Sequence, residues 1–439
     1  MDSKNNPKRR RLKKAEDNPL DEHLRKIARE GAGKPLSESL SEGSPLKDLI
    51  GRFVEIALEE EMRDHLGYER HDRLEGKQTP TERRTNSRNG RTKKRLKTSH
   101  GETEIEVPRD RQGSFEPVIV PKYGTVTKDV EDRVVGMYAS GITTRDIQAQ
   151  MQELYGIDAS EMFVSRIVER LDPELSAWRN RPLERLYPVV YVDALHQKVR
   201  HPSGVTATAV YVVSAYGESG TMEILGVYIA SEGYSASESA SFWHQVLVSL
   251  EKRGLADILI LCADQLTGLE QAVSSVYPQA RYQPCVVHVM RSTLRRVPYS
   301  ERKKVAREVK KIYQAPTYEG AEVALEALHE LYGRRYPGLV RGWEQVLPRL
   351  SDLWQYSKPL RKLVYTINPI ENVNRQVRKV TKNRGVMPNP DSALRLMTLV
   401  LQRVDRKAQK QARSDWPRIL QELAIHFPER IPDNWGFRI

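Results

Sequence analysis

Three carboxylates in this chain stand where a sequence can hold a divalent cation. Asp193 ends the apolar run Pro188-Val-Val-Tyr-Val, Asp264 directly follows Ile258-Leu-Ile-Leu-Cys-Ala, and Glu371 lies early in Asn368-Pro-Ile-Glu-Asn-Val-Asn-Arg. One acid at a strand end is ordinarily a loop cap. Two acids at matching points on neighbouring buried strands need a proton or a cation between them, because like charges held out of water are costly. An all-oxygen set of this kind suits a hard divalent ion. Glu371 has two local alternatives: a capping box with Asn368, or an i,i+4 pair with Arg375.

The helix that positions Glu371 is legible over residues 368–385. Asn368 suits the N-cap, Pro369 the first helical position and Gly385 the stop. Ile370, Val373, Val377 and Val380 recur at helical spacing as a core stripe. Glu371, Arg375, Arg378 and Lys382 fall on another face, with Arg384 near the C-terminal end. One carboxylate thus heads a row of cations, an arrangement that suits a metal ligand with a phosphate backbone lying along the helix.

The two aspartates need a sheet. Strands are expected at Pro188–Leu195, Ala207–Ala215, Met222–Ala230, Ile258–Ala263 and Arg281–Met290, with a helix carrying Phe242, Trp243, Val246, Leu247 and Leu250, and another short helix before the last strand. Pro284 places that last strand at an edge. The order β-β-β-α-β-α-β is that of an α/β, ribonuclease-H-like fold, in which the strands bearing Asp193 and Asp264 lie side by side. Residues 300–360 read as helical, with Ser300 capping a helix that buries Val305, Val309 and Ile312, and Pro316 and Thr317 starting another that carries Ala321, Leu325, Leu328 and Leu331. This block separates Asp264 from Glu371 and so forms an all-α insertion, with Trp343 and Trp354 as core. Leu394, Met397, Leu401 and Val404 mark one later helix, and Trp416, Leu420 and Leu423 a final one.

Upstream, residues 46–67 read as a helix with Leu49, Phe53, Ile56, Ala57 and Met62 inward. From Lys77 to Lys97 there are nine Lys/Arg and one acid, Glu82; this is either a solvated linker or a DNA-contacting arm presenting Arg88, Arg91, Lys93, Lys94 and Arg95. A hairpin follows over Leu96–Val107. Residues 127–171 read as three short helices with Val130, Val134, Met137 and Tyr138, then Ile147, Met151 and Leu154, then Val164, Ile167, Val168 and Leu171 inside. That pattern fits a helix-turn-helix whose third helix exposes Arg166 and Arg170 to a groove. The expected organisation is a basic tail (1–45), a helix, basic arm and hairpin (46–124), a helix-turn-helix region (125–182), the catalytic sheet (183–296), the insertion (297–362) and C-terminal helices (363–439).

Composition bounds the partners. Lys+Arg exceed Asp+Glu by 71 to 58 over 439 residues, giving +13, so a polyanion is expected and the clustering points to nucleic acid. The two cysteines, Cys262 and Cys285, indicate a reducing compartment and exclude a disulfide framework. No apolar run approaches membrane-spanning length and no signal peptide opens the chain, which points to the cytoplasm and the nucleoid. Pro7-Lys-Arg-Arg-Arg-Leu-Lys-Lys14 reads equally as a nuclear-import signal, an added tag or a DNA-binding arm.

Several pieces match one family together: His65-Leu-Gly-Tyr68, Asn86-Ser-Arg-Asn-Gly90, Glu106-Val-Pro-Arg-Asp-Arg111, Phe115-Glu-Pro117, Ser140-Gly-Ile-Thr-Thr-Arg-Asp-Ile147, Tyr191-Val-Asp-Ala194, Cys285-Val-Val-His288 and Asn368 to Gly385. On them the chain resembles, from about residue 47 to 427, the Mutator-type DDE transposases of bacterial insertion sequences. The resemblance implies that Asp193, Asp264 and Glu371 are the catalytic carboxylates. With them go two Mg²⁺ ions, replaceable by Mn²⁺, duplex DNA of the terminal inverted repeats and target as partner, and a homodimer or larger assembly. Cys285 and His288 match a Cys/Asp-x-x-His signature; zinc would need two further ligands, so a structural or DNA-end-positioning role is expected. Gln265 stands where the family usually has Gly, and Ser292 where it has Asn. The crowding expected from Gln265 supports the alternative of a catalytically impaired, transposase-derived DNA-binding regulator.

Overall fold

The computed structural model describes residues 29, 45–68, 86–98, 101–122, 124–229, 239–264, 266–365 and 368–435. It forms two compact units, residues 1–136 with 144–167 and residues 137–143 with 168–439. The basic stretch at residues 7–14, the part of the expected arm from Lys77 to residue 85, and Gln265 lie outside the described residues.

In the first unit, helix α1 (Pro45–Leu66) packs on an antiparallel hairpin of β1 (Arg88–Thr98) and β2 (Gly101–Asp110). Val54, Leu58, Leu96, Ile105 and Val120 form its core. The inward row is shifted from the expected one: Phe53 and Ile56 are 65% and 53% exposed, while Met62 is buried as expected. Close approach at Gly51 sets the rotation, since a Cβ there would stand 2.9 Å from Thr103 Oγ1. The hairpin also runs further back than expected, so residues 88–97 are neither a loose linker nor a free arm. Arg91 pairs with Glu59 at 3.1 Å and Glu106 at 3.2 Å, Lys93 with Glu104 at 2.9 Å, and Arg88 with Glu59 at 3.4 Å. Lys94 Nζ donates to the carbonyls of Pro121 and Lys122. Such pairs hold these side chains to the ladder. Arg95 is exposed.

Helices α2 (Lys128–Tyr138), α3 (Thr144–Tyr155) and α4 (Glu161–Glu169) fall where three helices were expected. Val130, Val134, Ile147, Met151, Val164 and Ile167 are buried, but Leu154 is 64% exposed, because α3 turns only Ile147 and Met151 fully inward. Arg166 on α4 and Arg170 just beyond it are exposed.

The second unit is built on a mixed sheet ordered β5–β4–β3–β6–β7, with β8 added against β3. Its strands are β3 (Leu186–His201), β4 (Gly204–Tyr216), β5 (Met222–Ile229), β6 (Asp257–Ala263), β7 (Arg281–Pro284) and β8 (Val386–Met387). β3, β4 and β5 are joined as antiparallel hairpins, whereas β3, β6 and β7 run parallel. An almost wholly apolar β6 requires cover on both faces. On one face, Trp243, Leu247 and Leu250 of helix α6 and Leu269 and Val273 of α7 pack on Val190, Val192, Tyr211 and Leu261. These helices, which follow the short helix α5 (Asp172–Arg179), span Ala240–Lys252 and Leu269–Val276.

The expected strand over Arg281–Met290 is corrected: β7 stops at Pro284, and helix α8 (Val286–Arg295) follows. Pro284 has no N–H to extend a ladder, and Val286, Val289 and Thr293 bury at helical spacing. Its edge position is as expected. The helical block comprises α9 (Tyr299–Gln314), α10 (Tyr318–Tyr332), α11 (Pro337–Val346), a 3-10 segment (Leu347–Gln355) and α12 (Lys358–Tyr365). Thr317 caps α10, accepting from the Gly320 amide at 3.1 Å, whereas Ser300 lies inside α9 rather than at its cap. Leu331 is 60% exposed instead of inward, in the last turn of α10. Trp343 is fully buried and donates to Thr293 Oγ1 at 2.9 Å, and Trp354 donates to the Ala315 carbonyl. The chain then forms α13 (Asn368–Thr381), a 3-10 turn (Lys382–Arg384), β8, α14 (Pro390–Ala408) and α15 (Trp416–His426). The Asn368 side chain lies outside the described residues. Among the described residues no helix is long and apolar enough to cross a membrane.

Asp405 ties α14 to the sheet edge. Its buried carboxylate accepts from the Ile224 amide at 2.7 Å and stands 3.6 Å from Arg181, yet burial pushes its pKa up to about 6. The folded state therefore holds this proton more tightly than the unfolded chain, so stability falls as pH rises from about 4 through 6, by roughly 3 kcal/mol at most. Asp405→Asn should gain stability relative to the parent protein as pH rises across that window. Urea midpoints measured below and above it check this; parallel curves for the two proteins would mean the carboxylate is ionised throughout.

Candidate active site

Parallel pairing of β3 with β6 ends at Val192 opposite Ala263, so Asp193 and Asp264 each stand one residue beyond the last paired positions of adjacent strands. Side chains alternate along a strand, which places Asp193 on the face of Tyr191 and Asp264 on that of Cys262. That is the face opposite α6 and α7; the Tyr191 hydroxyl donates to the Leu363 carbonyl of α12 across it. Helix α13 reaches the same point. Asn374, fully buried one turn after Glu371, donates from Nδ2 to Asp193 Oδ2, whose other oxygen accepts from the Ala194 amide at 2.9 Å.

Helix α8 closes the other side. The Cys285 amide donates to the Ala263 carbonyl at 2.8 Å, which fixes the start of α8 beside Asp264. One turn on, His288 Nδ1 lies 3.8 Å from Asp264 Oδ2, and its Nε2 is 3.3 Å from Arg291 Nη1. Arg291 Nη2 in turn sits 2.5 Å from Glu371 Oε1. Glu371 therefore pairs with Arg291 rather than with Arg375, whose guanidinium turns to Asn372 Oδ1 at 2.8 Å. The three acids are thus linked through Asn374, His288 and Arg291.

Burial pushes the Asp193 carboxyl above the ordinary carboxylate range, and the neighbouring Asp264 pushes the same way, against His288 and Asn374. Asn374 Oδ1 is buried without a hydrogen-bond partner. An unsatisfied acceptor beside carboxylates that burial and mutual repulsion disfavour as anions fits a hydrated divalent cation. As the side chains stand, however, no group of three or more His, Cys, Asp or Glu among the described residues converges to hold one. Cys285, at the head of α8, and Cys262 are both buried and free, and burial pushes the Cys262 thiol up.

The cations expected along α13 divide. Arg375, Arg378 and Lys382 are exposed. Arg384 is not part of that row: it turns inward over the Tyr138 ring at 3.9 Å and donates to the Ile142 carbonyl. It lies where the chain at Gly141 (φ 89°) passes so close to Val380 that a Cβ would clash with its carbonyl. A row missed in the sequence lies beside Arg375: with Lys379 and Lys407 it borders a cleft of about 480 Å³ that also includes Tyr216 and Val404.

Replacing Asp193 by Asn removes a charge that burial opposes and keeps an acceptor for the Ala194 amide. Asp193→Asn should therefore raise the thermal midpoint of the metal-free protein by a few degrees. A lowered midpoint in calorimetry would show that the charge stabilises the fold.

Two kinds of comparison bear on this arrangement. The family model described as Transposase, Mutator family, matches residues 26–411. The transposase for insertion sequence element ISRM3 of Rhizobium meliloti (strain 1021) is 36% identical over 401 residues, covering 91% of this chain and 96% of the relative. A probable insertion-sequence transposase of Corynebacterium diphtheriae is 34% identical over 347 residues, covering 74% and 99%. The transposase for IS256 in transposon Tn4001 of Staphylococcus aureus is 30% identical over 333 residues, covering 73% and 82%. With a family match spanning most of its length and relatives this similar over most of theirs, the chain belongs to the Mutator family of transposases.

Proposed function

We propose that the protein is a DDE transposase with a ribonuclease-H-like catalytic domain that cleaves and joins DNA strands at the terminal inverted repeats of its own insertion sequence. The observation that carries this reading is the meeting of Asp193 and Asp264 where the parallel pairing of β3 with β6 stops, with the Glu371 helix hydrogen-bonded to Asp193. Asp193, Asp264 and Glu371 would hold two Mg²⁺ ions, with Mn²⁺ able to substitute. Bound there, the ions would activate a water or a 3′-hydroxyl and stabilise the leaving oxygen in an in-line displacement.

The chain's own residues supply position and charge. Asn374 orients the Asp193 carboxylate, and His288 faces Asp264. Exposed Arg375, Arg378 and Lys382, with Lys379 and Lys407 alongside, track a phosphate backbone leading to Glu371. Helices α2 to α4 act as a helix-turn-helix presenting Arg166 and Arg170 to a groove. Because two element ends must be handled together, the working form is a dimer or larger on duplex DNA in the bacterial cytoplasm.

Asp193→Asn, Asp264→Asn and Glu371→Gln should each abolish Mg²⁺-dependent cleavage of a duplex carrying the element's end while still binding it. Strand mapping on a gel decides this; ordinary cleavage by any one variant removes that residue from the reaction. Arg378→Ala should fold normally, bind the same duplex more weakly and show a salt slope shallower by about one unit, the loss of one phosphate contact. An unchanged slope in a salt series would mean this face never meets DNA.

A further inference from the structure

We propose that Arg291 is a positioning residue that occupies Glu371 in the metal-free chain and leaves it when a DNA phosphate takes its guanidinium, so that DNA binding and cation loading are one coupled event. This rests on reading the three carboxylates as the cation site.

The geometry is specific. Arg291 Nη2 lies 2.5 Å from Glu371 Oε1, one of the two oxygens this carboxylate could offer a cation, and no group of three or more His, Cys, Asp or Glu among the described residues converges to hold one. A guanidinium and a divalent ion cannot share one carboxylate oxygen, because two positive charges at such separation repel strongly in a partly desolvated site. Arg291 also reaches across the site: Nη1 lies 3.3 Å from His288 Nε2. A guanidinium only donates, so Nε2 is the acceptor and the imidazole proton sits on Nδ1, which lies 3.8 Å from Asp264 Oδ2. One cation thereby holds Glu371 directly and sets the tautomer of the histidine beside Asp264. Its spacing is the same helical step that puts His288 after Cys285, so the Cys-x-x-His signature extends by one turn to Arg291.

The lock is open to its key. The Arg291 side chain is 48% exposed, against 24% for Glu371, so an approaching polyanion meets the guanidinium first. A planar fork of donors matches two phosphate oxygens, which a lysine head group does not. Transfer of Arg291 to a phosphate frees Glu371, and by reciprocity a cation seated on Glu371 releases Arg291 for DNA.

The test is Mn²⁺ binding, followed by electron paramagnetic resonance, on the full chain with and without a duplex of the element's end terminated by a 3′-deoxynucleotide, which cannot react. The parent protein should bind Mn²⁺ about tenfold more tightly with the duplex than without it. Arg291→Gln should bind tightly without DNA and gain less than twofold from it, with Arg291→Lys between the two. Arg291→Gln with parental affinity alone, or with the full tenfold gain, overturns the proposal. If Asp193→Asn and Glu371→Gln bind Mn²⁺ as the parent does, the carboxylates are not the cation site. If they weaken binding while Arg291→Gln changes nothing, only the role of Arg291 fails.

Discussion

The register of β3 against β6 is the constraint on which the site depends. Parallel strands that stop pairing at Val192 and Ala263 deliver the next residue of each to one end of the sheet and, by alternation, to one face. Two aspartates there repel each other, and burial raises the cost for Asp193. The surrounding elements answer that cost. α13 supplies an amide donor in Asn374, α8 supplies His288, and the helices on the opposite face exclude water from the strands that carry the charges. A single-residue slip between the two strands would turn one carboxylate into the apolar layer under Trp243.

The excess of positive charge is not spread evenly in its effect. On the first unit's hairpin, Arg88, Arg91, Lys93 and Lys97 face Glu59, Glu104, Glu106 and Glu102, so much of that basic stretch is neutralised where it stands. Its cations stitch a two-stranded ribbon that would be marginal alone. On α13 and α14 the exposed cations border a cleft with no carboxylate in its lining. Net charge alone could not separate these two uses of lysine and arginine; the difference lies in which acids sit across the strand.

The sequence made the sheet and the acids legible because continuous apolar runs, and the acids that directly follow them, are local properties. Asp193, Asp264 and Glu371 could be picked out from their flanking residues, and Pro284 marked an edge that the fold has. What failed was tertiary. The apolar residues from Val286 to Met290 are compatible with strand or helix, and only the layer they pack on makes them α8. In α1 the inward row depends on where Gly51 lets the hairpin approach, so Phe53 and Ile56 were misplaced. Arg384 looked like one more surface cation but stacks on Tyr138, a partner far away in sequence. Asn374 had a visible signal, a polar residue inside the buried stripe of Ile370, Val373 and Val377, and Arg291 had one in its step from His288.

The short strand β8 has a consequence for how such a protein can vary. Val386 and Met387 pair with Lys198 and Val199 of β3, and Gln197 Nε2 donates to the Gly385 carbonyl. Together with Asn374 on Asp193, these contacts fasten the Glu371 helix, at its middle and just beyond its C-terminal end, to the very strand that carries Asp193. The placement of Glu371 is therefore anchored from its C-terminal side rather than handed on through α9 to α12. Residues added to or removed from the surface turns of that helical block would cost mainly loop-closure entropy, which grows only slowly with length. The block is thus free to lengthen, shrink or acquire new surfaces over evolutionary time while the three carboxylates keep their spacing.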